Sequence, residues 1–550
     1  MIVERLEDLV RTALEAARRD GVLSFETPPA LSFERPKRRE HGDWATNVAL
    51  TAARGQGNPR EIAQALIDRL PDTDLVVKSE VAGPGFINFH LSDKWLHEAV
   101  RSAADPDSGF GRSDVGAGKR VNVEYVSANP TGPINVVSGR HAAVGDAIAN
   151  LLEATGHAVT REYYVNDAGR QIRLFAESIE ARYLQRFGRE ANLPEEGYQG
   201  DYVAGLADEI AEEIGDELVD VSVQKRVETT RQLGLDRMLD QMRASLERFG
   251  TKYEVWQRES ELHQRGLLEE GIARLKEKGL VEEREGAVWF RSSDFGDDKD
   301  RVLVRAGGEP TYFAADVGYL LHKFGRGYEA LIYLWGAGHH GAVPRLMAAA
   351  EGLGFDRERV EVPLVQTVRL RRGGEAVIAS KRKGNVIPLD DLVDEVGVDA
   401  ARYTFLTRSI DAPLDFDIEL VKEQAPENPV YYVQYAHARI CSILRKAGEP
   451  NLDTDATALE RLSHPSESAL MRKIAAYEET IIDAATQRAP QKVTRYVEEL
   501  ASTFSAFYRD CQVISDDDEL THARLTLCLA TKSVIAGGLG VLGVTAPERM

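Results

Sequence analysis

Cysteine is scarce in this chain: Cys441, Cys511 and Cys528 are the only three in 550 residues. They stand at no metal-ligand spacing and form no disulfide framework. A reducing, cytoplasmic setting fits that scarcity. No run approaches the roughly 20 apolar residues that cross a bilayer, so no membrane role is expected. Met1 to Asp20 mixes acidic and basic residues among Val, Leu and Ala at helical spacing. That is an amphipathic helix, without the apolar core and small-residue cleavage site of a signal peptide. Internal repeats and low-complexity segments are also missing. So is a basic excess: the net charge is −21, which argues against bulk attraction to nucleic acid. Phosphate contacts need only a local basic surface, however. Such clusters occur at Arg35, Lys37, Arg38 and Arg39, at Arg369, Arg371 and Arg372, and at Lys381, Arg382 and Lys383. Taken alone, each cluster is more readily explained as a solvated loop.

What is present is a globular composition, 43% hydrophobic and 29% charged, in a chain too long for one core. Three or four domains are expected. Residues 1–105 begin with a helix and end in a strand-like run, Gly85 to Leu91. A Gly/Asp/Ser-rich linker runs from Asp105 to Gly118. Residues 118–415 then open with Val121, Val123 and Tyr125 alternating, which predicts a strand. The loop Ser127 to Pro133 follows, where Pro130 and Pro133 forbid a regular helix. Ser138 is the expected N-cap of a helix closed by Gly156, and Val159 to Val165 reads as the next strand. Strand, helix and strand make a βαβ unit, which places the loop at the ligand-binding edge of a parallel sheet. Residues 173–300 read as a helical, acidic insertion. Further strands are expected at Ala330 to Leu334 and Val360 to Val368, and residues 416–550 read as helical, with a loop near Pro450 to Asp455.

Four segments carry candidate chemistry. The loop Ser127 to Pro133 precedes a helix N-terminus, whose N–H groups and dipole attract phosphate or carboxylate. Asn129 there offers a donor and an acceptor. A ligand-free turn stiffened by proline accounts for the same residues. Ser380 to Asn385 puts Lys381 on a Gly-containing loop, where a lysine neutralises charge developing on a triphosphate. Short basic loops are common, so a plain surface loop is the alternative. Tyr312 and Asp316 stand four apart on one helix face, and a carboxylate beside a phenol suits a guanidinium. A solvated helix face has the same spacing. Gly336 to Gly341 contains His339 and His340, but the ligand spacing and acidic or thiol partners of zinc are missing nearby. Polar groups lining a pocket are the expected role.

These segments occur in an order that resembles bacterial arginyl-tRNA synthetases. The likeness is carried by Ser127 to Pro133, Arg161 to Gly169, Pro310 to Asp316, Val398 to Tyr403 and Asn428 to Arg439. Glu40 to Asp43, Ala82 to Phe89 and Leu542 to Met550 extend it over nearly the whole chain. The resemblance implies an α/β fold: a Rossmann-type parallel-sheet catalytic core, an N-terminal α+β domain that recognises the tRNA elbow, and a C-terminal all-α anticodon-binding domain. It implies ligation of arginine to tRNA(Arg) with ATP through an arginyl-adenylate, in a step that requires bound tRNA. Magnesium would accompany ATP, with no protein-bound structural metal. A monomer acting on neither DNA nor membrane is the family expectation. By position, Ser127, Asn129, Tyr312, Asp316 and His339 correspond to the arginine pocket. Pro130, Gly132, Asn135, Ser138, Gly139, Lys381 and Arg382 correspond to the ATP site. Phe86 and Asn88 would touch the tRNA D-loop, and Tyr431 and Tyr435 would face the anticodon stem.

Both signature motifs depart from the family. The adenylation motif His-x-Gly-His aligns with Asn135-Val136-Val137-Ser138, so both histidines and the glycine are replaced. The glycine lets backbone approach the adenine, and Val137 puts a branched side chain there. The Lys-Met-Ser-Lys motif aligns with Ile378-Ala379-Ser380-Lys381, and Gly338 stands where an aspartate is usual. In one reading Asn135 and Ser138, with Ser380 and Lys381, keep the catalytic role, and Arg140 and His141 stand one turn away with charge or an imidazole to offer. In the other, the chain is a catalytically impaired tRNA-binding paralogue with a regulatory or other transfer role. Retention of donors at the changed positions favours the first.

Overall fold

The computed structural model describes residues 2–36, 38–54, 57–377, 387–448 and 458–550. The expected loop near Pro450 to Asp455, the basic cluster at 381–383 and Lys37 lie outside them. The chain forms two compact units, each drawn from three stretches of sequence. The first comprises Met1–Phe110, Ala447–Glu478 and Ala506–Ser533; the second comprises Gly111–Lys446, Glu479–Ser505 and Val534–Met550.

In the first unit, the amphipathic helix Ile2–Arg19 buries Leu6, Val10, Ala13, Leu14 and Ala17, a spacing of three and four that puts them on one face. Phe33–Glu34, Trp44–Thr46, Phe86–Leu91 and Val76–Ala82 form, in that order, a four-stranded antiparallel sheet. Asp43, just before its second strand, accepts a hydrogen bond from Arg472 at 2.5 Å, tying the distant helix Pro465–Ala475 into the same unit.

The second unit is built on a parallel sheet. We label its parts β1 (Arg120–Glu124), α1 (Val136–Ala154), β2 (Ala158–Val165), β3 (Val255–Arg258), α2 (Tyr312–Gly325), β4 (Ala330–Tyr333) and β5 (Val360–Glu361). The strand order is β5-β4-β1-β2-β3, all parallel. That is the doubly wound arrangement in which the order reverses between β1 and β4, leaving a crevice at their carboxyl ends. α1 is buried nearly all round. Its small residues let it lie close to the sheet, and a Cβ on Gly145 would come within 2.2 Å of the Tyr125 ring.

Three expectations change. The stretch 173–300 holds the helices Arg170–Arg186, Asp201–Ile214 and Val223–Arg248, but also β3, an edge strand of the core. It further contributes Val281–Arg284 and Ala287–Phe290, which form a three-stranded antiparallel sheet with Arg301–Val304. Four-residue strands are too short to display a period. The run Val360 to Val368 serves three sheets, interrupted at Pro363: β5, then Leu364–Val365, then Val368–Arg372. Finally, the helix Asp518–Val541 is long and apolar enough to cross a membrane, although 56% of its apolar window is buried inside the protein. Burial of that extent is the mark of a core helix.

Candidate active site

The backbone leaves β1 through two residues in the left-handed region, Val126 (φ 67°) and Ser127 (φ 42°). A β-branched residue rarely adopts that conformation, and such strain persists where surrounding contacts over-determine it. Here the Ser127 hydroxyl donates to Glu124 (3.2 Å) and accepts the Tyr164 N–H (3.1 Å). The Tyr163 hydroxyl donates to the Ala128 carbonyl and the Tyr202 hydroxyl to that of Thr131, both at 2.8 Å. The loop is therefore held from β2 and from the helix Asp201–Ile214. Pro130 is buried within it, and Gly132 lies against Tyr202.

Beyond this loop lies a cavity of about 300 Å³ lined by Asn129, Asn166, Ala168, Gln171, Ile172 and Tyr312. Asn129 donates its amide to Gln171 at 2.5 Å. Tyr312, 57% exposed, opens α2, and its hydroxyl approaches Gly169 so closely that a Cβ there would be 2.6 Å away. Asp316 follows one turn later. Burial raises its carboxyl to about 7, opposed by Arg345 and reinforced by the charges of Glu259 and Glu124. Burial also raises the buried Glu259. The Asn166 amide, turned so as to donate, reaches Glu259 at 3.2 Å. Glu124 is neutralised by fully buried Lys323 at 2.6 Å. Among the described residues, neither Asp316 nor Glu259 makes a salt bridge to a lysine or arginine. The site thus encloses more negative charge than the protein pairs, an arrangement suited to a cationic side chain.

A second cavity, about 380 Å³, opens at the start of α1. Asn135, Val136, Val137, Val368, Leu370, Ala376, Val377 and Ile387 line it, together with Arg369 and Arg371. Val137, 44% exposed, is part of that lining. The N-cap is Asn135 and not Ser138. Asn135 is extended (φ −108°, ψ 170°), and its side-chain oxygen accepts the Ser138 N–H at 3.0 Å. Val136 N–H donates to Ile387 (3.2 Å) and Leu389 N–H to Ile134 (2.8 Å), so residues 387–389 pack at this helix end. Ser380, Lys381 and Arg382 lie outside the described residues. Gly139 faces away from the cavity, where a Cβ would come within 2.6 Å of Leu389.

Arg140 offers no charge to this cavity. It is fully buried and donates to the carbonyls of Gln366 (2.8 Å), Ser409 and Ala412 (both 3.0 Å). His141 is also buried, and burial first, then the Arg140 charge, lowers it to about 4. His339 is exposed, its ring 6.2 Å from that of Trp335. Among the described residues no three His, Cys, Asp or Glu side chains gather as a metal site. In the first unit, Phe86 is half-buried and Asn88 is 4% exposed. In the second, Tyr431 and Tyr435 stack at 6.1 Å on α4 (Pro429–Lys446; α3 is Val398–Leu406), with Arg439 4.7 Å over the Tyr435 ring.

Of the five residues expected in the arginine pocket, Asn129 and Tyr312 line the first cavity, Ser127 and Asp316 stand on the elements beside it, and His339 is exposed and outside its lining. Sequence reasoning missed Glu124, Tyr164, Asn166, Gln171 and Glu259. Asn166 and Tyr164 stand inside the segment Arg161 to Gly169, but nothing local marks Glu259 as a partner of Asp316.

Three family matches cover this architecture: "Arginyl tRNA synthetase N terminal domain" over residues 4–91, "tRNA synthetases class I (R), catalytic domain" over 107–411, and "DALR anticodon binding domain" over 433–550. The arginine–tRNA ligase of Heliobacterium modesticaldum is 46% identical over 557 aligned positions, covering 100% of this chain and 99% of that one. That of Moorella thermoacetica is 46% identical over 99% and 98% of the two chains. The structure of Thermus thermophilus arginyl-tRNA synthetase superposes with a TM-score of 0.77 at 24% identity, covering 99% of this chain and 100% of that one, and so shares the fold. The chain belongs to the arginyl-tRNA synthetase family.

Proposed function

We propose that this protein ligates arginine to tRNA(Arg), using ATP and releasing AMP and pyrophosphate. The observation that carries the reading is the enclosed pair of carboxylates, Asp316 and Glu259, beside the crevice of the parallel sheet, which Arg345 and His263 offset only in part and with which, among the described residues, no lysine or arginine forms a salt bridge. A guanidinium supplies the missing charge and enough N–H donors for both.

Arginine sits in the first cavity, with Asn129, Tyr312 and Asp316 around it, and its carboxylate points toward the second, where ATP binds. An oxygen of that carboxylate attacks the α-phosphorus; the bond to the bridging oxygen breaks and pyrophosphate leaves, giving arginyl-adenylate. A terminal ribose hydroxyl of tRNA then attacks the acyl carbon, the bond to the phosphate oxygen breaks, and AMP leaves with the bonding electrons while the hydroxyl proton passes to its phosphate. The start of α1 directs its dipole at the phosphate, although the Val136 and Ser138 N–H groups are already bonded to Ile387 and Asn135. Asn135 caps with its oxygen, which leaves its NH₂ group to donate, and Ser138 adds a hydroxyl. A preorganised donor of this kind contributes roughly 2.7–4 kcal/mol. Lys381 neutralises the leaving pyrophosphate, with Ser380 and Arg382 beside it and magnesium entering with ATP. Pro130, Gly132 and Gly139 act by fixing the loop and helix that carry these donors.

Phe86, Asn88, Tyr431 and Tyr435 are assigned to tRNA, whose phosphates meet local basic surface despite the overall negative charge. Residues 1–105, 118–415 and 416–550 are assigned to elbow recognition, catalysis and anticodon binding. The protein acts as a cytoplasmic monomer, without DNA or membrane as a partner. Arginine-dependent pyrophosphate exchange with purified protein, ATP and tRNA(Arg) tests the reading. Exchange well above background is expected. Bound tRNA with no exchange would overturn it in favour of an impaired, tRNA-holding relative.

A further inference from the structure

We infer that the hydroxyl of Tyr333 is a binding group for the cationic side chain of the substrate and helps select a guanidinium. This deepens the reading above and rests on it. Tyr333 ends β4 and stands in register with Glu124, the last residue of β1. Those two strand ends border the crevice where the strand order reverses, the ligand position of such sheets. The ring of Tyr333 packs on the Lys323 ammonium, 4.0 Å from its centroid, and that ammonium is held 2.6 Å from Glu124.

The side chain is 3% exposed, yet among the described residues its hydroxyl has no hydrogen-bond partner. The charged groups acting on it are Glu124, Glu162 and Asp316, with Arg326 opposing. Phenylalanine would preserve the packing and the cation–π contact without leaving a polar atom unmatched, so the hydroxyl needs another explanation. The neighbouring Tyr319 hydroxyl, by contrast, is bound to Glu162. A guanidinium resolves the mismatch. It presents five N–H donors in a plane; Asp316 can take two, and a neutral oxygen such as the Tyr333 hydroxyl can accept another. A compact ammonium on a shorter side chain does not offer the same plane of donors.

Tyr333→Phe tests this. Arginine affinity by calorimetry, KM and kcat in pyrophosphate exchange, and inhibition by agmatine, which keeps the guanidinium but lacks the carboxylate, are compared with wild type. The arginine Kd and KM and the agmatine Ki should each rise about 10-fold. The kcat and the KM for ATP should stay within about two-fold, and the melting temperature should hold or rise. Unchanged arginine and agmatine constants would overturn the inference, with the hydroxyl then satisfied by water alone. So would a lowered melting temperature with parallel losses in ATP and arginine, which marks a purely structural residue. Arginine binding by wild type without exchange would overturn the ligase reading, while the comparison of the two affinities would still decide on Tyr333.

Discussion

Asp316 titrates near neutral pH because its carboxyl is enclosed beside Glu259 and Glu124, with Arg345 only partly compensating. Its ordinary value is about 3.9. Between about pH 4 and 7 the folded chain therefore keeps a proton that the unfolded chain has released. Stability attributable to this group falls as pH rises through that window. Arginine binds the ionised form, so its affinity should increase from pH 5.5 to about 7 and then level off, with proton release on binding. Asp316→Asn should remove that slope and weaken arginine binding by at least about 2 kcal/mol, roughly 30-fold. Calorimetry across this pH range checks both, and a flat wild-type profile would contradict the assignment. The helical spacing of Tyr312 and Asp316 was legible in the sequence. Pairing Asp316 with Glu259, or Lys323 with Glu124, was not, because each pair joins chain positions far apart and neither charge carries a local signal.

α1 connects a cap to a clamp. Its cap, Asn135, both ends the helix and faces the second cavity. The two roles are separable, since aspartate caps as well as asparagine but cannot donate from its side chain. Asn135→Asp should hold stability within about 0.5 kcal/mol while lowering the exchange rate at least 10-fold; Asn135→Ala should lose about 1 kcal/mol as well. Urea unfolding and pyrophosphate exchange, run side by side, distinguish them. The clamp is Arg140, which gathers carbonyls from two other segments. Arg140→Met should cost about 3 kcal/mol or more, because those buried oxygens lose a charged donor. Recovery of full stability in that variant would reassign Arg140. The βαβ unit was readable because strand, helix and glycine stop follow one another along the chain. Ser138 looked like the cap because it precedes the helix's continuous apolar face, but the first helical turn starts earlier, at Val136, where Asn135 supplies the oxygen.

On the scale of the whole chain, each compact unit collects three separate stretches. Composition read residue by residue divides the sequence into consecutive pieces, since contacts between remote stretches leave no local texture. Arg402 exemplifies such a contact. Fully buried on α3, it donates to the carbonyls of Phe249 (2.9 Å) and Leu542 (3.2 Å) and pairs with Asp146 on α1. Gly543 (φ 68°) passes so near that a Cβ would stand 2.1 Å from its guanidinium. Gly543→Ala should therefore destabilise the second unit by about 2 kcal/mol or more, read as a lower melting temperature. The same feature bears on biosynthesis. The last acceptors of a side chain at position 402 are made some 140 residues after it. As the polypeptide emerges, that guanidinium must wait with part of its coordination unfilled, so the catalytic unit can lock its interior only after residues 534–550 have been translated.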